Sequence, residues 1–154
     1  MISFKPLSDP PTEDNIFFLY KLLLERRYSI SHNKTPSFEG HREFVVNHPY
    51  RFWSIVEVGG RPIGAVYAGF DNSVGIQLLP QSLVHRPAVI RAFLQKHCPL
   101  PAKASLVSDD FVFNVAVADT EYQNDLRECG AFPLQMTFVL KNIVSISNIF
   151  QFLF

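Results

Sequence analysis

Apolar and polar residues recur along the chain with two different periods, and the changes of period mark the predicted helices and strands. Alternation with a period of two over residues 2–7 predicts a first strand, which a Pro-Pro pair ends. Apolar residues at helical spacing follow over residues 12–27 and again over residues 37–47. The first third of the chain is therefore predicted to be a strand followed by two helices.

Three stretches rich in β-branched and aromatic residues come next, and the turns between them are short. Residues 50–58 and 63–70 are separated by Gly59 and Gly60, a pair typical of a tight hairpin turn. A second turn leads into residues 74–79. These stretches predict an antiparallel meander of three strands.

The last third of the chain changes period several times. A Pro-started helix is predicted over residues 87–97, a strand over 111–117, a helix over 120–129 that ends at a glycine, and a strand over 134–140. The residues that follow are apolar but have no clear period. Their pattern leaves open a further strand, a helix against a partner subunit, or a frayed end.

Length and composition limit the chain to one core. A chain of 154 residues of which 47% are hydrophobic can bury one core and has little room for a second. We predict a single domain over residues 1–141 and an apolar tail over residues 142–154. Because exposed apolar residues favour association, we expect the tail to pack either on the domain's own sheet or on a second subunit. The second arrangement would form a homodimer.

The charge and the cysteine content exclude several kinds of partner and site. Fourteen basic and fourteen acidic residues give a formal net charge of zero, so we expect neither nucleic acid nor a membrane as a partner. The two cysteines form no CxxC pair and no disulfide framework, which favours a reducing cytoplasm. The histidines and carboxylates lack the spacing of metal ligands, so we predict no metal.

Three local stretches carry a resemblance to a known family. They are EVGGRPIGAVYAG, NVAVADTEYQNDLRECGAFPL and ISHNKTPSFEGHREFVVNHPYRFW. Together with the order of the elements they resemble the GNAT superfamily, the acyl-CoA-dependent N-acetyltransferases, over about residues 1–140. The resemblance implies an α+β fold with a mixed, mostly antiparallel central sheet and helices on both faces.

The resemblance also implies a cofactor and its position. In this family acetyl-CoA lies in the notch where the fourth and fifth strands separate, and its pyrophosphate lies on the loop that opens the third helix. The backbone groups that would pair with the pantetheine belong to Gln77, Leu78 and Leu79, and Asn114 would lie on the fifth strand beside them. The implied acceptor is a small-molecule amine, such as an amino sugar, an amino acid or a polyamine.

The pyrophosphate loop departs from the family pattern, which is Gln or Arg, two residues, Gly, one residue, then Gly or Ala. Gln81 matches the first position, but Val84 and Arg86 occupy the glycine positions. One interpretation is that His85 and Arg86 replace backbone donors with cationic side chains. The amides that would still be available for a phosphate are those of Ala88, Val89 and Ile90. The other interpretation is an ordinary solvated turn.

Two residues are candidates for proton transfer. The general-acid tyrosine that is frequent in the family would fall at Leu126, which cannot carry a proton, and Tyr122 lies one helical turn earlier. His32, in the polar loop between the first two helices, could deprotonate an amine near neutral pH. The structural alternatives are a packing role for Tyr122 and a loop-capping role for His32.

Two functions from different classes stay open. The first is an acetyl-CoA-dependent N-acetyltransferase in which a small-molecule amine attacks the thioester directly, so that no nucleophile triad is needed. The second is a GNAT-fold module that has lost affinity for CoA and binds a partner or a small molecule.

Overall fold

The computed structural model describes residues 1–30 and 34–140. In chain order the elements are β1 (Ile2–Pro6), α1 (Glu13–Glu25), α2 (Phe38–Val46), β2 (Phe52–Val58), β3 (Arg61–Ala68), β4 (Ser73–Leu78), a 3₁₀ helix (Pro80–His85), α3 (Arg86–Lys96), β5 (Val112–Phe113) and α4 (Thr120–Glu128). The candidate base His32 and the predicted tail 142–154 lie outside the described residues. None of the helices described is both long and apolar enough to cross a membrane.

The five strands form one sheet in the order β1-β2-β3-β4-β5. Neighbouring strands from β1 to β4 are antiparallel, whereas β4 and β5 are parallel. The β4–β5 pairing contains only Ser73 with Val112 and Val74 with Phe113, so the two strands separate toward their carboxyl ends. The predicted mixed sheet, in which the fourth and fifth strands separate, is confirmed.

Helices cover both faces of the sheet, and each face has its own core. On one face α1 and α2 pack against the sheet through Ile16, Leu19, Leu22 and Val45, which meet Trp53, Ile55, Ala65 and Leu79. On the other face α3 and α4 contribute Val89, Ile90, Phe93, Tyr122 and Leu126, which meet Val56, Val66, Val74, Ile76 and Leu78. The predicted α+β architecture with helices on both faces is therefore confirmed.

Local sequence explains where the helices begin. The side chains of Thr12, Ser37 and Asp119 each accept a hydrogen bond from the backbone amide three residues further on, which satisfies a donor that the first helical turn leaves free. Acidic residues in the first turn of α1, α2 and α4 complement the positive end of the helix dipole.

Asn72 fixes the place where β5 starts. It is completely buried and has a φ of 61°, a left-handed conformation that asparagine tolerates. Its side-chain amide donates to the carbonyls of Leu100 (2.9 Å) and Ser108 (2.8 Å), and its side-chain oxygen accepts from the Leu100 amide (2.7 Å). Its own carbonyl accepts from the amide of Val112 at 3.0 Å. These bonds tie the long connection after α3 to the start of β4.

The predicted strand over residues 134–140 is wrong in this structure. The described chain after α4 has no regular secondary structure, and the apolar side chains at alternate positions are exposed. Leu134, Phe138 and Leu140 are 72%, 84% and 88% exposed. The alternating pattern is real, but a strand also needs a partner edge, and β5 spans only two residues.

Candidate functional site

A cavity of about 320 Å³ lies where β4 and β5 separate, and we refer to it as the cleft. Its lining comes from β3 and β4, from the 3₁₀ helix and the start of α3, from the chain after β5 and the start of α4, and from the end of α1. Of the predicted site residues, those that line the cleft are Gln77, Leu78, Arg86, Asn114 and Tyr122. A second hollow of about 360 Å³, between β1 and α3, holds Lys96 as its one charged lining residue and offers no comparable chemistry.

The edge of β4 that faces the cleft is set by the sheet register. The Leu79 amide donates to the Ile63 carbonyl at 2.9 Å, so the main-chain groups of residues 75, 77 and 79 point toward β3. Those of Ile76 and Leu78 point the other way, toward the cleft, because main-chain direction alternates along a strand. The pairing with β5 ends at Val74. The main-chain groups of Ile76 and Leu78 therefore have no main-chain hydrogen-bond partner on a neighbouring strand among the described residues.

This register corrects part of the predicted pantetheine contact. Of Gln77, Leu78 and Leu79, only Leu78 presents its main-chain groups to the cleft, and Ile76 is the other residue that does so. The Gln77 side-chain amide is used within the fold, where it donates to the Leu22 carbonyl at the end of α1. Leu79 is buried on the α1 face and does not line the cleft.

Tyr122 lies deep in the cleft with an unsatisfied hydroxyl. The residue is 8% exposed, and its position follows from the N-cap of α4, where its amide donates to Asp119 at 3.0 Å. Its buried hydroxyl has no hydrogen-bond partner of normal geometry among the described residues, although the Ile76 amide lies close enough to favour the phenolate. Burial raises the pKa of the Tyr122 phenol well above its ordinary value of 10.0, and the Arg86 guanidinium offsets only part of this rise. The phenol of Tyr122 is therefore neutral near pH 7.

Arg86 is buried and paired, in contrast to the free loop cation considered from the sequence. Its side chain is 6% exposed, and its Nε donates to the Asp125 carboxylate at 2.6 Å. Its Nη2 lies 3.9 Å from Glu121, and the guanidinium lies 4.5 Å from the centre of the Tyr122 ring. The charge of Arg86 is thus balanced by α4, and its buried Nη2 has no hydrogen-bond partner among the described residues.

The loop before α3 is a 3₁₀ helix that runs directly into α3, so the backbone does not form an open cradle. The Arg86 amide donates to the Leu83 carbonyl, and Pro87 has no amide hydrogen to offer. Arg86 has a φ of −58°, so its backbone is ordinary right-handed helix although it occupies a glycine position of the family pattern. The predicted phosphate contacts that do not line the cleft are Gln81, His85, Ala88 and Val89, and Val89 has no exposed surface.

Tyr67 enters the cleft across β4, and sequence reasoning missed it. Its ring stacks on Tyr50 with centroids 4.1 Å apart and lies over Gly75, where a Cβ atom would overlap the ring. Both Tyr67 and Gly75 line the cleft. A glycine in the middle of a predicted strand was the available signal, because such a glycine often marks a close approach by another group.

Replacing Gly75 with alanine is expected to destabilise the protein by about 1–3 kcal/mol, because the new methyl group must displace the Tyr67 ring. Urea unfolding would measure the loss. In a Tyr67→Leu background the same substitution should cost much less, since the overlapping ring atoms are gone. An equal cost in both backgrounds would show that the strain has another origin.

Arg26 and Arg27, at the end of α1, also line the cleft and were not predicted as site residues. Neither forms an ion pair with a described residue. Nothing in the sequence indicated that the two arginines line a cavity, because arginines at the end of a helix interact favourably with its dipole whether or not they line one.

Comparison with known proteins supports the fold. No protein-family model and no curated protein matches the chain. A solved structure from Clostridium difficile 630, described as a possible acetyltransferase, is similar with a TM-score of 0.56 and 6% identity, over 94% of this chain and 99% of that one. A GNAT-family acetyltransferase from Streptococcus pneumoniae TIGR4 has a TM-score of 0.48 and 13% identity, over 92% and 100% of the two chains. The chain therefore shares the fold of the Clostridium difficile structure, and its α+β architecture is the one that its sequence predicts.

Proposed function

We propose that the chain is an acetyl-CoA-dependent N-acetyltransferase that acts on a small-molecule amine by direct transfer. One observation carries the proposal: the main-chain groups of Ile76 and Leu78 on the open edge of β4 face the same cleft as the buried hydroxyl of Tyr122. An open strand edge can pair with an extended chain of amides, and a neutral phenol beside it can protonate a leaving group.

The cleft fits the pantetheine arm of acetyl-CoA better than it fits the phosphates. The arm carries two amides, and the Ile76 carbonyl and the main-chain groups of Leu78 would hold them as a neighbouring strand does, which leaves the Ile76 amide free. At the other end, Pro80, Leu83 and Arg86 line the cleft, and the Arg86 amide and charge are already engaged within the fold. The Nη2 of Arg86 would contribute one hydrogen bond to a phosphate and little net charge. Weak binding of the nucleotide end follows.

Bound acetyl-CoA would supply a thioester, whose carbonyl carbon accepts the amine nitrogen while the thiolate leaves. Tyr122 would hold the proton that the leaving sulfur takes up, because burial keeps its phenol neutral. The Ile76 amide, next to that hydroxyl, would donate a hydrogen bond where negative charge develops. We keep His32, or a water that it holds, as the proposed base for the amine.

Millimolar acetyl-CoA is expected to raise the unfolding temperature of the protein. A ligand at about 100 times its dissociation constant adds roughly 2.7 kcal/mol of stability, whereas one far below it adds almost nothing. S-Acetylpantetheine, which has the thioester arm without the nucleotide phosphates, should bind within about tenfold of acetyl-CoA if the arm makes the main contacts. Titration by scanning fluorimetry would compare the two ligands.

A second function is kept because the 3₁₀ helix leaves so few amides for a phosphate. In that case the chain is a GNAT-fold module that binds a partner or a small molecule without CoA. The absence of a thermal shift with both acetyl-CoA and S-acetylpantetheine would favour it over the enzyme.

A further inference from the structure

The arginines of the cleft lie on opposite faces of the sheet. Arg86 belongs to the face covered by α3 and α4, where Asp125 and Glu121 match its charge. Arg26 and Arg27 follow α1, which covers the other face. A ligand that reaches through the gap between β4 and β5 would therefore meet a balanced charge on the first side and, on the second, positive charge that no described residue pairs.

The acidic residues of the cleft do not cancel this positive charge. Glu25 lies 3.8 Å from Lys21, Glu121 lies 3.9 Å from Arg86, and Asp119 caps α4. No described carboxylate pairs with Arg26 or Arg27. The α1 side of the cleft is thus the part of the lining where an anionic group would find unmatched cations.

A purely structural role explains only part of what is observed for Arg26 and Arg27. Cations at the end of a helix interact favourably with its dipole, and a hydrogen bond to a free terminal carbonyl would strengthen that role. In α1 the carbonyl of Leu22 is taken by the Gln77 side chain, and neither arginine donates to a carbonyl of the described chain. The dipole accounts for their position in the sequence but not for their place in the lining.

We infer that the acceptor is a primary amine that also carries a carboxylate or a phosphate, and that Arg26 and Arg27 bind this anionic group on the α1 side of the cleft. This inference rests on the proposed acetyl transfer and specifies its substrate class. Guanidinium groups suit carboxylate and phosphate because their donors match both oxygens at once. With the anion held there, the amine extends toward Ile76 and Tyr122. Polyamines, which carry only positive charge, are disfavoured by the same residues.

The test compares matched amines that differ only in the anionic group. An amino acid is paired with its carboxamide, and an amino sugar phosphate with the free amino sugar. Thiol release from acetyl-CoA gives kcat/KM for each member. The parent protein is expected to prefer the anionic member of at least one pair by about 10-fold or more, as one charge-assisted hydrogen bond allows.

Substitutions test whether Arg26 and Arg27 cause the preference for the anionic amine. Arg26→Gln together with Arg27→Gln should lower the ratio of kcat/KM, anionic over neutral, by about 10-fold or more. The matched control is Arg61→Gln, which changes an exposed arginine at the start of β3 that does not line the cleft and should leave the ratio unchanged. An unchanged ratio in the double variant, or equal use of both members by the parent, overturns the inference.

Binding measurements separate this inference from the proposed function. Calorimetric titration of the anionic amines in the presence of CoA should show binding that the double variant loses, and no binding in the parent overturns the inference. If the double variant instead weakens CoA itself and leaves the amines unaffected, the arginines bind the cofactor phosphates and the acceptor assignment is wrong. If acetyl-CoA does not bind the parent at all, the proposed function fails, whatever the amines do.

Discussion

Replacing Tyr122 with phenylalanine is expected to lower kcat for acetyl transfer by about 100-fold or more, with a smaller effect on KM. A positioned proton donor contributes roughly 10²–10⁴-fold to a reaction of this kind, and the buried phenol is the one we assign to the leaving thiolate. Initial rates of thiol release, measured at saturating acetyl-CoA with the preferred amine, give the comparison. Since burial raises the pKa of Tyr122, its deprotonation cannot produce a loss of rate between about pH 6 and 9.

The same substitution should leave the ligand-free protein as stable as before or slightly more stable. The Tyr122 hydroxyl is buried without a hydrogen-bond partner among the described residues, and an unsatisfied polar group costs about 1–3 kcal/mol. Removing it relieves part of that cost, so activity and stability should move in opposite directions. Urea unfolding of the ligand-free protein measures the second quantity.

Tyr20→Phe is the matched control for this pair of measurements. Unlike the Tyr122 hydroxyl, the Tyr20 hydroxyl has a partner, the Pro36 carbonyl, to which it donates at 3.2 Å, and Tyr20 does not line the cleft. Its loss should affect kcat little and should not stabilise the protein. Full activity in Tyr122→Phe would show that the thiolate takes its proton from water, and Tyr122 would then be a packing residue only.

The elements that the sequence predicted well are those whose signals are local. The hairpin turn is an example, because Gly59 and Gly60 both have positive φ and each is specified by its own residue type. The helix starts are another, because each capping side chain lies three residues from the amide that it binds. The parallel placement of β5 followed from the order of elements and the resemblance together.

Features that depend on contacts distant in the sequence were not accessible in the same way. Which residues of β4 face the cleft depends on its register with β3, and a shift of one residue exchanges Ile76 for Gln77. The expected strand over residues 134–140 had the right alternation, but the length of its partner edge is a tertiary property. Local pattern can propose a strand; only the neighbouring strand can supply its hydrogen bonds.

Arg86 is the clearest example of a contact that cannot be predicted from the local sequence. In the sequence it stands in a predicted loop between His85 and Pro87, which favours a solvated cation, and its partner Asp125 is 39 residues away. Only the packing of α3 against α4 brings the two together. The position that resembles a cofactor contact in the sequence is, in the fold, mainly a link between two helices that wall the cleft.

Asp125→Ala is therefore expected to lower the free energy of unfolding by about 3–5 kcal/mol. The substitution leaves the buried Arg86 guanidinium without its 2.6 Å partner and with only the exposed Glu121 carboxylate at 3.9 Å. A buried charge that loses its hydrogen-bonded partner is far more costly than a missing surface contact. The midpoint of urea unfolding should fall while the m-value stays the same, since the surface exposed on unfolding hardly changes. Arg86→Met combined with Asp125→Leu removes both charges and should recover most of the loss, because an apolar pair of similar volume can replace a buried ion pair.

A second ion pair between the same two helices provides the control for burial. Arg91 and Glu128 also lie 2.6 Å apart, but their side chains are 47% and 60% exposed. Glu128→Ala should hardly move the unfolding midpoint, because water and salt screen an exposed pair. If Asp125→Ala and Glu128→Ala gave similar shifts, the Arg86 pair would be solvated in solution, and its guanidinium would be available to a phosphate after all. A large shift for Asp125 alone would instead establish that the cleft is walled by a paired arginine, and that any CoA phosphate must compete with α4 for it.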